Sequence, residues 1–126
     1  MRDEVRFCFA ASKGVQTCVV SPFQDAQSLL DKLKQPDGFD GVFECAGHER
    51  SAELCLELTK KCGFYAQVGL FGRPVTFNHD LALVSEINIS NSYAAERTSW
   101  EIALKLLEDQ KLDLEGFADP IYELEA

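Results

Sequence analysis

Two short apolar runs joined by an amphipathic stretch dominate the hydrophobic pattern of the chain. The first run covers residues 39–47 and the second covers residues 64–70. Each run is too short for a helix and is bounded by Gly or Asp, so each predicts a buried strand. Residues 48–63 between them have apolar positions at helical spacing and close on a glycine. The pattern therefore predicts a parallel strand–helix–strand crossover.

Helices and strands are predicted to alternate on both sides of this unit. Before it, the pattern predicts a helix over residues 2–12, a strand over 15–20 and a helix over 25–34 that Asp25 caps. After it, residues 79–84 predict a brief helix, and residues 86–90 alternate as an edge strand does. Thr98 and Glu101 have the spacing of a capping box at the start of the last helix. This order indicates an α/β protein with a parallel sheet of about four strands flanked by helices.

The net charge, the short apolar runs and the cysteine count exclude several classes of function. The 126 residues have a formal net charge of −9, which argues against general binding to nucleic acid or to an anionic membrane. No apolar run approaches the roughly 18 residues that a membrane span requires. The chain does not begin with a signal-peptide pattern. Its five cysteines are odd in number and form no Cys-x-x-Cys pair, so we expect reduced thiols in a cytoplasmic protein.

Several motifs, in their order and spacing, resemble the cofactor domain of the medium-chain dehydrogenases. That family comprises the zinc-type alcohol, polyol and threonine dehydrogenases. Arg6 with Ala10 and Gly14 is similar to the helix after the second strand of the family. The later matches are the fourth strand and its turn (residues 40–47), the glycine turn and fifth strand (62–69), the sixth strand (86–92) and the following helix (100–112).

Other parts of the family pattern have no counterpart in these 126 residues. The glycine-rich turn after strand one, the second strand with its ribose-binding acidic residue, and the zinc-binding catalytic domain are not found. We therefore interpret residues 1–126 as a single partial dinucleotide-binding domain, Rossmann-like, that lacks the first two strands and the catalytic domain. We assign no catalytic residue and no metal ligand, although the family uses zinc.

The resemblance implies an oxidoreductase that transfers a hydride between an alcohol or polyol and a nicotinamide cofactor, NAD or NADP. It implies contacts to the cofactor by residues at the strand ends and on the first helix, namely Arg6, Ala46, Gly47, Val68, Gly69, Leu70, Ser92 and Ala94. Backbone groups of Val68, Ser92 and Ala94 would hold the carboxamide of the nicotinamide. It also implies a homodimer formed through the edge strand 86–92. The isolated chain is expected not to turn over any alcohol.

Two alternatives remain open at this point. The chain could be a truncated or split, non-catalytic fragment that acts at most as a dimerisation or binding module. It could also be an unrelated α/β binding module. The sequence of the region upstream would separate the enzyme from the fragment, because a glycine-rich turn and a zinc motif there would indicate a split enzyme.

In the family fold, strands one and two would lie between residues 15–20 and residues 41–45, so their absence affects both of these segments. Without strands one and two, residues 15–20 would shift to pair in parallel with residues 41–45, which gives the strand order 15–20, 41–45, 64–69, 86–90. Glu44 interrupts an apolar strand, and a buried carboxylate needs partners. We expect Glu44 to face the gap left by the missing strands and not to be catalytic.

Overall fold

A computed structural model describes residues 2–20 and 25–114 of the chain. These residues fall into two compact units, one of residues 20–94 and the other of residues 2–19 and 95–114. In chain order the elements are α1 (Arg2–Ser12), α2 (Ala26–Leu33), β1 (Phe39–Glu44), α3 (Glu49–Leu58), β2 (Thr59–Gln67), α4 (Asp80–Val84), β3 (Asn88–Asn91) and α5 (Arg97–Glu108). Within the described ranges, none of these helices is long and apolar enough to cross a membrane.

The unit of residues 20–94 is built on a parallel sheet with the strand order β1-β2-β3. Val42 of β1 lies opposite Tyr65 of β2, which lies opposite Ile89 of β3. Leu56 of α3 packs on this face of the sheet with Tyr65 and Ala82, and these three residues form a buried cluster. The predicted α/β class and Rossmann-like parallel sheet are confirmed.

The sheet has three strands within the described ranges, because residues 15–20 do not form the predicted fourth strand. The predicted pairing of residues 15–20 with β1 is therefore wrong. Val15 and Val19 have exposed side chains. A strand needs a neighbour that accepts and donates its ladder hydrogen bonds, and residues 15–20 straddle the boundary between the two units.

The crossover helix is shorter than predicted. It ends at Leu58, and β2 begins at Thr59, so residues 59–63 belong to the strand and not to the helix. The Thr59 hydroxyl donates to the Cys55 carbonyl across 2.7 Å, which closes the last turn of the helix. The β1–β2 register then shifts between Phe39 and Gly41, where residues 60–63 bulge from the ladder. Such a bulge leaves no period-2 pattern by which the sequence could reveal a strand.

The other helix boundaries agree with the sequence to within a few residues, with one exception in the capping. Asp25 caps α2 as predicted, because its carboxylate accepts from the Ser28 amide at 2.8 Å. The capping box predicted at Thr98 does not form, since α5 begins at Arg97 and its N-cap, Glu96, makes no side-chain bond. Glu101 Oε1 instead lies 3.0 Å from Nε of Arg97, one turn earlier in the helix. The ion pair thus takes the carboxylate that the capping box needs.

Candidate functional site

Three turns follow the carboxyl ends of the three strands, and hydrogen bonds hold them side by side. We name them the first turn (residues 45–47), the second turn (68–70) and the third turn (92–94). The Glu44 carbonyl accepts from the amides of both Val68 and Gly69, each at 2.8 Å. The Gln67 carbonyl accepts from the Ser92 amide at 2.9 Å. Ligands of open parallel sheets bind beyond these strand ends.

Two glycines bring the backbones of the first and second turns into contact. A Cβ on Gly69 would collide with the Gly47 amide nitrogen and would lie 2.6 Å from Glu44 Oε2. A Cβ on Gly47 would collide with the Leu70 carbonyl, and Gly47 also has a φ of +65°, which favours glycine. Neither position therefore has room for a side chain, and the backbones of the two turns lie in direct contact.

The Glu44 carboxylate lies against these two turns and is wholly excluded from solvent. Its Oε1 accepts from the amides of Ala46 at 2.9 Å and Gly47 at 3.0 Å. Its Oε2 accepts from the Gly47 amide at 3.0 Å and from Gln67 Nε2 at 2.7 Å. The expectation that Glu44 faces a gap is wrong, because a donor from each neighbouring element satisfies the buried charge.

The hydrogen bonds around Glu44 keep the carboxylate ionised. Burial alone would raise the pKa of Glu44, but bonds from Ser51, Gly47, Ala46 and Gln67 outweigh it and lower the pKa. The stabilisation is therefore complete above the usual glutamate pKa and is lost as the pH falls through the lowered folded-state pKa. Burial raises the pKa of the nearby Cys55 thiol to about 11, so this thiol stays protonated.

Gln67 completes the network and was not singled out from the sequence. Its Nε2 donates to Glu44 Oε2 and to the Gly69 carbonyl, both at 2.7 Å, and its Oε1 accepts from the Tyr65 hydroxyl. Burial raises the pKa of Tyr65, so this hydroxyl remains a donor. Glu44 ends the apolar strand β1, and Gln67 ends its neighbour β2. Polar residues at the ends of two adjacent apolar strands are the signal in the sequence for a buried polar pair.

A small cavity of about 130 Å³ lies below the second and third turns. Its lining is mainly apolar, with the amide groups of Gln67 and Asn91 at the strand ends. His79 also lines it, directly before α4. The other histidine, His48, is the N-cap of α3 and accepts from the Arg50 amide at 3.2 Å, a structural contact.

The structure brings together most of the residues that the resemblance proposed for the cofactor. Ala46 and Gly47 lie in the first turn, Val68, Gly69 and Leu70 in the second, and Ser92 and Ala94 in the third. Ala94 has a φ of +58°, an uncommon conformation for alanine. The remaining candidate, Arg6, lies on α1 in the other unit, and its side chain is exposed.

The residues present do not fit a zinc ion. Across residues 2–20 and 25–114, no three His, Cys, Asp or Glu side chains are grouped so that they could hold a metal. Zinc sites in proteins require three or four such ligands. We therefore derive no step of chemistry through zinc for this part of the chain.

Comparisons with known proteins agree with this geometry. Residues 2–109 match the sequence model of a family described as zinc-binding dehydrogenase. The chain is 34% identical over 112 residues to a sorbitol dehydrogenase of Halalkalibacterium halodurans, a match that covers 88% of this chain and 33% of that protein. The chain therefore spans about a third of the length of this curated relative.

Solved structures show the same fold and the same partial coverage. The crystal structure of L-idonate 5-dehydrogenase from Escherichia coli superimposes with a TM-score of 0.72 and 25% identity, over 89% of this chain and 31% of that one. Galactitol-1-phosphate dehydrogenase from Escherichia coli superimposes with a TM-score of 0.70 and 24% identity, over 87% of this chain and 34% of that one.

Proposed function

Because the chain belongs to the zinc-binding dehydrogenase family, we propose that its three turns bind NAD or NADP in an alcohol or polyol dehydrogenase. The resemblance to that family noted from the sequence is confirmed, and the alternative of an unrelated α/β binding module is wrong. The chain spans about a third of the length of these relatives. The substrate class we propose is an alcohol or polyol.

The contact between Gly47 and Leu70 is the observation that supports this proposal most. It fixes the first and second turns against each other beyond the ends of two parallel strands, which is where ligands of open parallel sheets bind. When bound, the nicotinamide accepts or donates the hydride. The first turn would lie against the adenosine side of the cofactor and the second turn against the nicotinamide.

The carboxamide of the nicotinamide fixes which face of the ring meets the substrate, and backbone groups of this chain are suited to hold it. Carbonyl oxygens of Val68 and Ser92 would accept from the carboxamide NH₂ group. The amide of Ala94 would donate to the carboxamide oxygen. The strained φ of Ala94 supports this role, because such strain is often retained at binding sites.

The remaining parts of such an enzyme would come from polypeptide outside these residues. Large apolar side chains on the sheet, including Phe43 at 65% exposure and Phe64 at 39%, support the need for further covering structure. We propose that this structure carries the phosphate-binding turn and the zinc ligands. It would form part of the same enzyme.

A titration of the purified chain with NAD and with NADP tests the proposed function. Amide chemical shifts should move at the three turns, with a dissociation constant of about 1 mM or weaker because no phosphate-binding turn contributes. No hydride should be transferred from any alcohol under the same conditions. Shifts confined to other residues would contradict the proposed binding. Steady reduction of either cofactor by this chain would contradict the expectation that the remaining parts of the enzyme lie outside these residues.

A second candidate function, a non-catalytic dimerisation module, is favoured by the position of β3. This strand lies at one edge of the sheet, and all four of its residues are exposed. Of the edge strand predicted over residues 86–90, residues 88–90 belong to β3, and within the described residues no further strand pairs with its outer edge. We propose that two copies of the chain pair through this edge about a two-fold axis.

Replacing Asn91 with proline should weaken the dimer without breaking the sheet. The Ser92 amide points towards β2, so the Asn91 amide points outward and is available to a second copy. Proline lacks this donor, and the dimer dissociation constant should rise at least about tenfold. The control Asn91→Ala keeps the amide and should dimerise like the parent chain. Sedimentation velocity over a range of concentrations measures this, and a parent chain that stays monomeric would refute the pairing.

A further inference from the structure

Glu44 contacts both the first and the second turn, through different atoms. Its carboxylate accepts from the amides of Ala46 and Gly47 in the first turn. Its main-chain carbonyl accepts from the amides of Val68 and Gly69 in the second turn, each at 2.8 Å. One residue therefore sets the separation of two backbone segments that are remote in the sequence.

The chemistry at this position requires a carboxylate. Oε1 faces the backbone donors of Ala46 and Gly47, and Oε2 faces the Gly47 amide and Gln67 Nε2. An ionised carboxylate is purely an acceptor at both oxygens, whereas a glutamine would point an NH₂ group at one pair of donors. A glutamine of the same shape would therefore leave donors facing donors in a buried place.

We infer that Glu44 is the positioning residue of both turns: its carboxylate orders the first turn while its carbonyl orders the second. The inference rests on the proposed function for what the turns bind, whereas the coupling between the turns rests on the contacts alone. Gln67 supports this arrangement, because its Nε2 bridges the Glu44 carboxylate and the Gly69 carbonyl.

The same contacts determine which part of a ligand the first turn can meet. Successive backbone amides in a turn usually make a cradle for an anion. Here the Glu44 carboxylate occupies the amides of Ala46 and Gly47 from inside the protein. The first turn therefore presents no free anion cradle and meets an uncharged part of its ligand, such as a ribose or a base. A phosphate of the cofactor must be held elsewhere.

Amide hydrogen exchange in the Glu44→Gln variant of the full chain tests the coupling. Exchange at Ala46 and Gly47, which lose their carboxylate acceptor, should accelerate at least about tenfold more than exchange in the middle of β2. Exchange at Val68 and Gly69 should accelerate with them, because Gln67 Nε2 no longer bridges the carboxylate and the Gly69 carbonyl. The control variant Glu49→Gln makes the same chemical change at the first residue of helix α3. It should leave the exchange rates of these four amides unchanged. A uniform acceleration throughout the sheet would show a general loss of stability and would overturn the inference, as would unchanged exchange at the turns.

A pH titration of the parent chain tests the same inference and does not depend on whether Glu44→Gln folds. Below pH 7, the amide protons of Ala46 and Gly47 and the side-chain NH₂ of Gln67 should shift with one common midpoint, below the usual glutamate range. Cys55 on α3 and Tyr65 on β2 face the same carboxylate, and both have raised pKa values, so neither titrates there. Separate midpoints, or no titration at these groups, would overturn the inference.

Binding of adenosine and of AMP tests what the first turn recognises. Both probes should shift the first-turn amides of the parent chain to the same extent, because the phosphate finds no cradle there. Larger shifts with AMP at Ala46 and Gly47 would overturn the specificity argument. If neither probe binds while exchange shows coupled turns, the proposed function fails and the positioning role of Glu44 stands.

Discussion

Replacing Gly69 with alanine should lower the free energy of unfolding by about 3 kcal/mol or more, because the new methyl group has no space. Its Cβ would collide with the Gly47 nitrogen and lie 2.8 Å from the Gly47 Cα. Backbone atoms cannot rotate away as a side chain could, so the first and second turns must separate. The loss is a large part of the roughly 5–15 kcal/mol that stabilises a typical domain.

Gly41→Ala is the matched control for this prediction. Gly41 lies on β1, and its added Cβ would make an ordinary 3.8 Å contact with the Phe64 ring. The stability of this variant should change by less than about 1 kcal/mol. Urea unfolding followed by circular dichroism gives both values. Equal stabilities of the two variants would show that the turns do not touch as described.

Replacing Leu56 with alanine should cost about 2–5 kcal/mol of unfolding free energy. Leu56 is 2% exposed and packs with Tyr65 and Ala82 in the cluster between α3, α4 and the sheet. It also lines the cavity below the second turn, so truncation enlarges a space that already exists. The surrounding side chains can therefore fill the space only in part, and the dispersion attraction that the leucine side chain supplied is not replaced.

Leu83→Ala makes the same chemical change on the exposed side of α4 and is the control. Leu83 is 74% exposed, and its truncation should change stability by less than about 0.5 kcal/mol. The same urea transitions measure both variants. A cost below about 1 kcal/mol for Leu56→Ala would place the core of this unit elsewhere.

The strands were predictable where an apolar run is strong and is bounded by glycine or aspartate. β1 and the second half of β2 follow from residues 39–44 and 64–67, and β3 follows from the alternation over residues 86–90. The start of β2 was not predictable, because the bulge at residues 60–63 interrupts its period. Residues 15–20 have the apolar composition of a strand, but pairing depends on a neighbour that no local pattern can supply.

The candidate site was predictable in its position and not in its internal contacts. The family resemblance implied Gly47 and Gly69 as cofactor contacts, and both lie directly beyond the ends of adjacent strands. That Glu44 lies beneath both turns depends on the β1–β2 register, which sets it opposite Gln67. The register comes from the tertiary structure, so the sequence could show that Glu44 needs partners but could not identify them. The capping box at Thr98 failed for a local reason, because α5 begins one residue earlier, at Arg97, and Arg97 pairs with the Glu101 carboxylate.

The two halves of the cofactor, added separately, test the central claim most directly. That claim is that the second and third turns hold the nicotinamide half and the first turn holds the adenosine half. Amide shifts of the purified chain would be mapped with nicotinamide mononucleotide and with AMP at equal concentrations. Nicotinamide mononucleotide should shift the amides of Val68, Gly69, Leu70, Ser92 and Ala94, and AMP should shift those of Ala46 and Gly47. The same set of shifts for both ligands, or no shift at any turn, would contradict the account.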